Sequence, residues 1–313
     1  MDTNKSVSQG CEVLKMAGIA IIFGTEAVIV QLGYGNGFDV LSLAATRFLI
    51  ASVFYLGLAR LKKKPLLVAR ELWGGTLVLS LLTTGCSFAI YTAVSLIPAS
   101  LAILFFYAYP SLTALASRLL FHGERLTPST VLALLLSAVG LVLLYWSSMA
   151  DINPWGVVVA LTGAVLQALR LNLVDRVVSR TDMITFNLDC TVAVAVMYNL
   201  AMLFWEKGRY GWVSVTVPGW LIILYLALAV TVAGMYVVYR GIHILGPVPC
   251  SLLLLLEPPT TAVMALIIFK DLLTGWQLLG GALILTAVAL PQVVQARAGR
   301  LRRQLQAEVE EVK

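Results

Sequence analysis

Apolar runs of about 20 residues, separated by short polar connections, set the pattern of this chain. One helical crossing of a bilayer needs about 20 predominantly apolar residues. Ten such runs can be marked: 14–33, 39–59, 72–95, 99–120, 129–148, 155–175, 183–205, 218–241, 248–269 and 276–296. Turn residues fall between them, as in Gly33-Tyr34-Gly35-Asn36-Gly37, Ile97-Pro98, Asn153-Pro154 and Gly246-Pro247. The pattern predicts an all-α integral membrane protein of ten transmembrane helices. The division of 72–120 into two spans is the least sharply marked.

The ninth run breaks the pattern at its centre. Glu257, Pro258 and Pro259 interrupt a leucine-rich stretch near mid-membrane depth. A charge there costs about 2.5–3.5 kcal/mol on insertion scales. The two prolines remove backbone donors and predict a kink, with the carbonyls of Leu254 and Leu255 left without helical partners. A broken helix carrying an acid at that depth reads as part of a transport site.

Three further ionisable residues interrupt the apolar runs: Glu26, Arg47 and Asp189. Glu26 and Arg47 share a depth, so they can pair. The pair either holds an anion or tunes a proton-binding Glu26, or it pins the first two helices together. Asp189 either serves the site or snorkels toward an inner vestibule. Glu257 has no basic residue at its depth in its own half, which suits a proton carrier; bracing of the helix break is the structural alternative. Tyr91, Tyr239, Tyr107, Tyr109, Gln167 and Asn172 are polar candidates for substrate contact, each also explicable as helix packing.

Composition agrees with the pattern. Of 313 residues, 60% are hydrophobic and 12% charged, about half the charge of a soluble domain, and mean hydropathy is +0.91. With the N-terminus inside, 18 Lys and Arg fall to the cytoplasmic side and 3 to the outer loops, with Arg47 left in a span. That asymmetry places both termini in the cytoplasm and explains the net charge of +6 without nucleic acid. The short polar N-terminus shows no small-residue cleavage signal, so a retained first helix is expected. The tail, 297–313, runs from basic to acidic and reads as a solvated helical extension facing anionic headgroups. Cys11, Cys86, Cys190 and Cys250 form no CxxC pair, and His122 and His243 lie in connections away from any nucleophile. No metal, cofactor or catalytic set is expected. The chain has no GxxxxGK[ST] phosphate loop, which excludes an ATP-driven pump on this chain alone.

The two halves match weakly but collinearly. At an offset of 148, Tyr91 falls on Tyr239, Ile97 on Leu245, Pro110 on Pro258 and Thr113-Ala114 on Thr261-Ala262; at 147, Gly123-Glu124 meets Lys270-Asp271 and Thr127 meets Thr274. Five spans per half is odd, so the second half enters the membrane upside down. Inverted repeats place the substrate site near mid-membrane at their interface.

These residues carry a resemblance. Ala45-Thr46-Arg47-Phe48, then Pro110 with Gly123-Glu124-Arg125-Leu126, Leu256-Glu257-Pro258 with Asp271, and Gly280-Gly281-Ala282-Leu283-Ile284-Leu285 together resemble the EamA-type permeases of the drug/metabolite transporter superfamily. Lys270-Asp271 departs from the Gly-Glu usual in that family's turn. The resemblance spans nearly the whole chain and implies two inverted five-helix repeats, 1–150 and 151–313, the latter with the cytoplasmic tail. It implies a secondary transporter moving a small metabolite, such as an amino acid or related compound, across the cytoplasmic membrane by alternating access. Export is expected over uptake. Proton coupling through Glu257 or Glu26 stands beside uncoupled exchange. Efflux of drugs or toxic cations is the alternative, with an intramembrane enzyme and a channel more remote. Expected partners are the bilayer and a small-molecule substrate, with homodimerisation left open.

Overall fold

A computed structural model describes residues 2–97, 99–121, 126–145, 153–205, 215–269 and 274–311. The secondary structure of the described residues is helical, without strands. The helices are α1 (Asp2–Tyr34), α2 (Val40–Leu61), α3 (Trp73–Leu96), α4 (Ala99–Phe106), α5 (Tyr109–Leu119), α6 (Pro128–Tyr145) and α7 (Pro154–Val178). They continue with α8 (Met183–Trp205), α9 (Val217–Tyr225), α10 (Met235–Leu245), α11 (Pro247–Leu253), α12 (Glu257–Phe269) and α13 (Gly275–Glu311). Seven described helical stretches are long and apolar enough to cross a membrane, and Pro128–Leu143 and Gly275–Pro291 are shorter apolar ones. The protein is a multi-pass membrane protein. Large apolar side chains such as Leu81, Leu135 and Val196 face outward, while Thr113, Arg47 and Arg170 are buried.

Local chemistry starts the helices where the turns were expected. Asp39 caps α2 by accepting from the Ser42 N–H at 2.8 Å, and Ser42 returns the contact in a capping box. Asn153 caps α7 ahead of Pro154, and Thr216 caps α9. Gly246, at φ +91°, separates α10 from α11 in a conformation that L side chains rarely adopt.

Both expected kinks are present. The fourth span divides at Tyr107-Ala108 between α4 and α5, and the ninth passes through a 3₁₀ turn, Leu254–Leu256, between α11 and α12. The ninth corrects one expectation. The Leu254 carbonyl is not orphaned, because the tighter turn brings the Glu257 N–H to it. The Thr260 hydroxyl donates to the Leu256 carbonyl at 2.7 Å, and Thr261 donates to the Glu257 and Gly24 carbonyls. Side-chain hydroxyls thus add donors to carbonyls beside the break, as an apolar surround favours. A third irregularity, a π-helical stretch at Leu226–Gly234, joins α9 to α10.

Helix α13 packs along α6, α3 along α7, α2 along α8, and α1 against both α12 and the α9–α10 rod; α4 and α5 lie on α7. Close approach explains two glycines. A Cβ on Gly24 would meet Thr260 Cβ at 2.5 Å, and one on Gly140 would meet the Gly280 carbonyl at 2.8 Å.

The expected counterpart turns at 123–124 and 270–271 lie outside the described residues, as do the side chains of the 297–313 tail.

Candidate functional site

Glu26 and Arg47 form the expected pair: Arg47 Nη1 donates to the Glu26 carboxylate. Arg47 Nε also donates to the Thr231 hydroxyl, and Thr231 in turn donates to the Leu226 carbonyl five residues back. The π-helical winding thus brings a hydroxyl of the second half to a cation of the first. Tyr55 makes a similar crossing, donating to the Val232 carbonyl at 2.7 Å.

Asp189 is occupied elsewhere. Its Oδ2 accepts the Val68 N–H at 2.7 Å, the Thr185 hydroxyl donates to the Pro65 carbonyl, and Lys64 pairs with Asp182 at 2.8 Å. Together these fasten the connection between α2 and α3 onto the start of α8. Burial alone would raise the Asp182 pKa. Hydrogen bonds from Lys64 and from the Ile184 and Thr185 N–H groups outweigh it and hold the carboxyl below the usual carboxylate range. A depressed folded-state pKa contributes stability above the unfolded value of about 3.9, lost as pH falls through the folded value. Asp182→Asn is therefore expected to lower the melting temperature slightly at neutral pH, with the difference fading below about pH 4. Both partners are about a third exposed or more, so the effect should stay under about 1 kcal/mol. Melting curves across pH check this.

Glu257 is the first residue of α12, and Tyr109 the first of α5, so each stands where its broken span resumes as a helix. Glu257 keeps part of its surface accessible, lies within hydrogen-bonding reach of Tyr107 and feels the Glu26 carboxylate. Among the described residues it has no salt-bridge partner. Its place at a helix N-terminus also suits a carboxylate. The rings of Phe106, Tyr107 and Tyr109 cluster with centroids 5.4–6.0 Å apart.

A central crevice opens between the halves, lined by Phe48 of α2, Thr83 of α3, Asn187, Cys190, Thr191 and Val194 of α8, and Met235 and Tyr239 of α10. It is narrow: the space open to the centre of a water molecule is about 10 Å³, room for about one water. Of the expected candidates, Tyr239 lines it directly. Gln167 stands behind it, accepting from Arg170 Nε at 2.9 Å and from the Cys86 thiol at 3.6 Å. Asn172 instead donates to the Thr113 and Ala168 carbonyls, a packing role. The Tyr91 side chain lies outside the described residues.

One charge is packed more deeply in the protein than its sequence position indicates. Arg170, expected on the cytoplasmic side, is 6% exposed within α7. The helix runs on to Val178, so Arg170 lies about two turns before its end. The usable signal was Gln167 one turn earlier on the same face. Asn187, Thr83 and Thr191 also went unnoticed, because isolated polar residues in a span give no sign of which way they face.

The profile of the EamA-like transporter family matches twice, at residues 12–146 and 154–291. An uncharacterized transporter of Synechocystis sp. is 25% identical over 217 residues, covering 66% of this chain; the chain spans 64% of that relative's length. A solved crystal structure shares the fold at a TM-score of 0.77 and 19% identity, covering 92% of this chain and 99% of that one.

Proposed function

Because the chain belongs to the EamA-like transporter family, we propose that it is a secondary transporter that moves a small metabolite across the cytoplasmic membrane by alternating access. The proposed architecture is ten spans in two inverted repeats, 1–150 and 151–313, with both termini cytoplasmic. The family profile's two tandem matches support it. So does the packing: exchanging first-half helices for their second-half counterparts turns the α3–α7 contact into that of α1 with the α9–α10 rod. It turns the contact of α4 and α5 with α7 into that of α1 with α11 and α12, and leaves α2–α8 and α6–α13 unchanged. The observation that carries the function is the crevice at the seam, walled by α2 and α3 of one half and α8 and α10 of the other. Rocking of one half against the other would open it to either side in turn. Export is the proposed direction.

In liposomes, the purified protein is expected to exchange radiolabelled small metabolites across the bilayer without ATP. Rates no faster than in protein-free vesicles across a panel of amino acids, organic acids and amines would overturn the transporter reading.

A further inference from the structure

The connection between α2 and α3 leaves the first half and lies across the start of α8 in the second. It turns at Lys63, whose φ of +52° reverses the chain just after α2. Three contacts to the other half follow. Lys64 pairs with Asp182 at 2.8 Å, the Thr185 hydroxyl donates to the Pro65 carbonyl at 2.7 Å, and the Val68 N–H donates to Asp189 at 2.7 Å. The Trp73 indole N–H donates back to the Val68 carbonyl at 3.1 Å and stiffens the segment from within. Val68 and Leu72 share one apolar cluster with Val174, Val177 and Val178 at the end of α7.

At 3.6 residues per turn, positions 182, 185 and 189 fall on one face at the start of α8. Asn187, Cys190, Thr191 and Val194, which line the crevice, fall on the opposite face. The connection thus holds α8 from behind, while α2 and α3 stand before it across the crevice. The inner end of α8 cannot move off α2 and α3 until these contacts part.

A second fastening stands at the other end of α2. The Thr216 N–H donates to the Asn36 carbonyl at 3.2 Å, and the Thr216 hydroxyl to Asn36 Oδ1 at 2.7 Å. Trp220 meets Phe38 edge-on, with ring centroids 6.1 Å apart. The two fastenings correspond under the internal repeat: at the offset of 147, Val68 falls on Val215 and Trp73 on Trp220. In each, the residues leading into the third helix of one half lie on the turn between the first two helices of the other. They differ in chemistry. Lys64, Asp182 and Asp189 give the inner one charge, whereas Asn36 and Thr216 are neutral.

We infer that the α2–α3 connection is the inner latch of the crevice, shutting it towards the cytoplasm by holding α8 to the first half, and that Asn36 with Thr216 is the outer latch. This rests on the transporter reading and the inverted topology proposed above, and it adds which contacts must part for each side to open. Opening at one end breaks one latch and spares the other. Asp189 is the strongest element of the inner latch, because a hydrogen bond to a charged acceptor is roughly twice as strong as a neutral one.

Cys190 is a reporter already in the chain. It lines the crevice, which has room for about one water, so a larger thiol reagent reaches it only when the crevice opens. A membrane-impermeant methanethiosulfonate is added to sealed vesicles holding the full chain, inside-out or right-side-out, and modification of the Cys190 peptide is followed by mass spectrometry. In inside-out vesicles Asp189→Ala should speed modification about 10-fold or more, and Thr185→Val a few-fold. Lys64→Gln should add less than about 5-fold, its ion pair being part-exposed. None of the three should speed it in right-side-out vesicles, where Asn36→Ala should do so instead. No gain from the cytoplasmic side in either Asp189→Ala or Thr185→Val would overturn the latch. Equal gains from both sides would overturn it too, by showing general loosening. In liposomes, a short bis-methanethiosulfonate bridge between Lys64→Cys and Asp182→Cys should arrest the exchange of any panel compound the parent carries, and reduction should restore it. Exchange undiminished by complete bridging would remove the latch and leave the transporter reading standing. A parent that exchanges nothing in the panel would remove the transporter reading, while the labelling still decides whether these contacts hold the crevice shut.

Discussion

Replacing Glu26 with Gln is expected to cost the folded protein about 3 kcal/mol, the largest loss of stability among single charge changes in the spans. Removing one partner of a buried ion pair leaves the other charge without its counter-ion, and such losses run at about 3–5 kcal/mol. Glu26 keeps 28% of its side-chain surface while Arg47 keeps 6%, so some solvent remains for the pair, and the lower end of that range applies. Arg47 would still hold the Thr231 hydroxyl of the π-helical stretch, but a neutral acceptor does not replace a carboxylate. The double change Glu26→Gln with Arg47→Met should recover most of the loss, since an apolar pair of similar volume is often neutral or better. Equilibrium unfolding in mixed micelles measures all three proteins. A double variant no more stable than Glu26→Gln alone would show that the pair is not the unit of stability.

The second large effect concerns Glu257. In liposomes with an imposed pH gradient, Glu257→Gln is expected to abolish gradient-driven accumulation while one-for-one exchange continues. Glu257 opens α12 within hydrogen-bonding reach of Tyr107 and has no salt-bridge partner among the described residues. A carboxylate so placed can take up and release a proton as access alternates, whereas Glu26 is tied to Arg47. Glutamine keeps the size and the hydrogen-bonding capacity but cannot carry the proton. Accumulation that survives in both Glu257→Gln and Glu26→Gln would end the proton-carrier reading and leave Glu257 as a brace for the helix break. Loss of exchange together with accumulation would make it a substrate contact instead.

The fold was legible where apolar length and turn chemistry carry it. Asp39, Asn153 and Thr216 start helices where the polar gaps fall, and the prolines mark both broken spans. The Glu26–Arg47 pair could be anticipated because two helices joined by a short turn put residues of equal depth side by side. Other features had no local signature. The π-helical stretch reads LALAVTVAG, an apolar string without proline that an ordinary helix would accommodate. Asp189 looked like a site residue because its partner is a backbone N–H 121 positions away, and backbone groups leave no trace in a sequence. The burial of Arg170 likewise had no local signature, because a charge near the end of an apolar run gives no sign of whether it faces solvent or neighbouring helices.

The ion pair also bears on how the chain is made. Glu26 and Arg47 lie 21 residues apart on the first two helices, so both have left the ribosome before any of the second half exists. They can close on each other as a hairpin and enter the lipid with no net charge, which spares the nascent chain an isolated arginine in hydrocarbon. Thr231 reaches Arg47 only after another 184 residues, so the crossing between halves comes after insertion is complete. Among the described residues Arg170 has no carboxylate partner; Gln167 is its early contact, three residues before it, and its contacts on α10 are translated 65 and 69 residues later. Biogenesis of the second half should therefore be its slow stage, with α7 held at the translocon until α10 arrives.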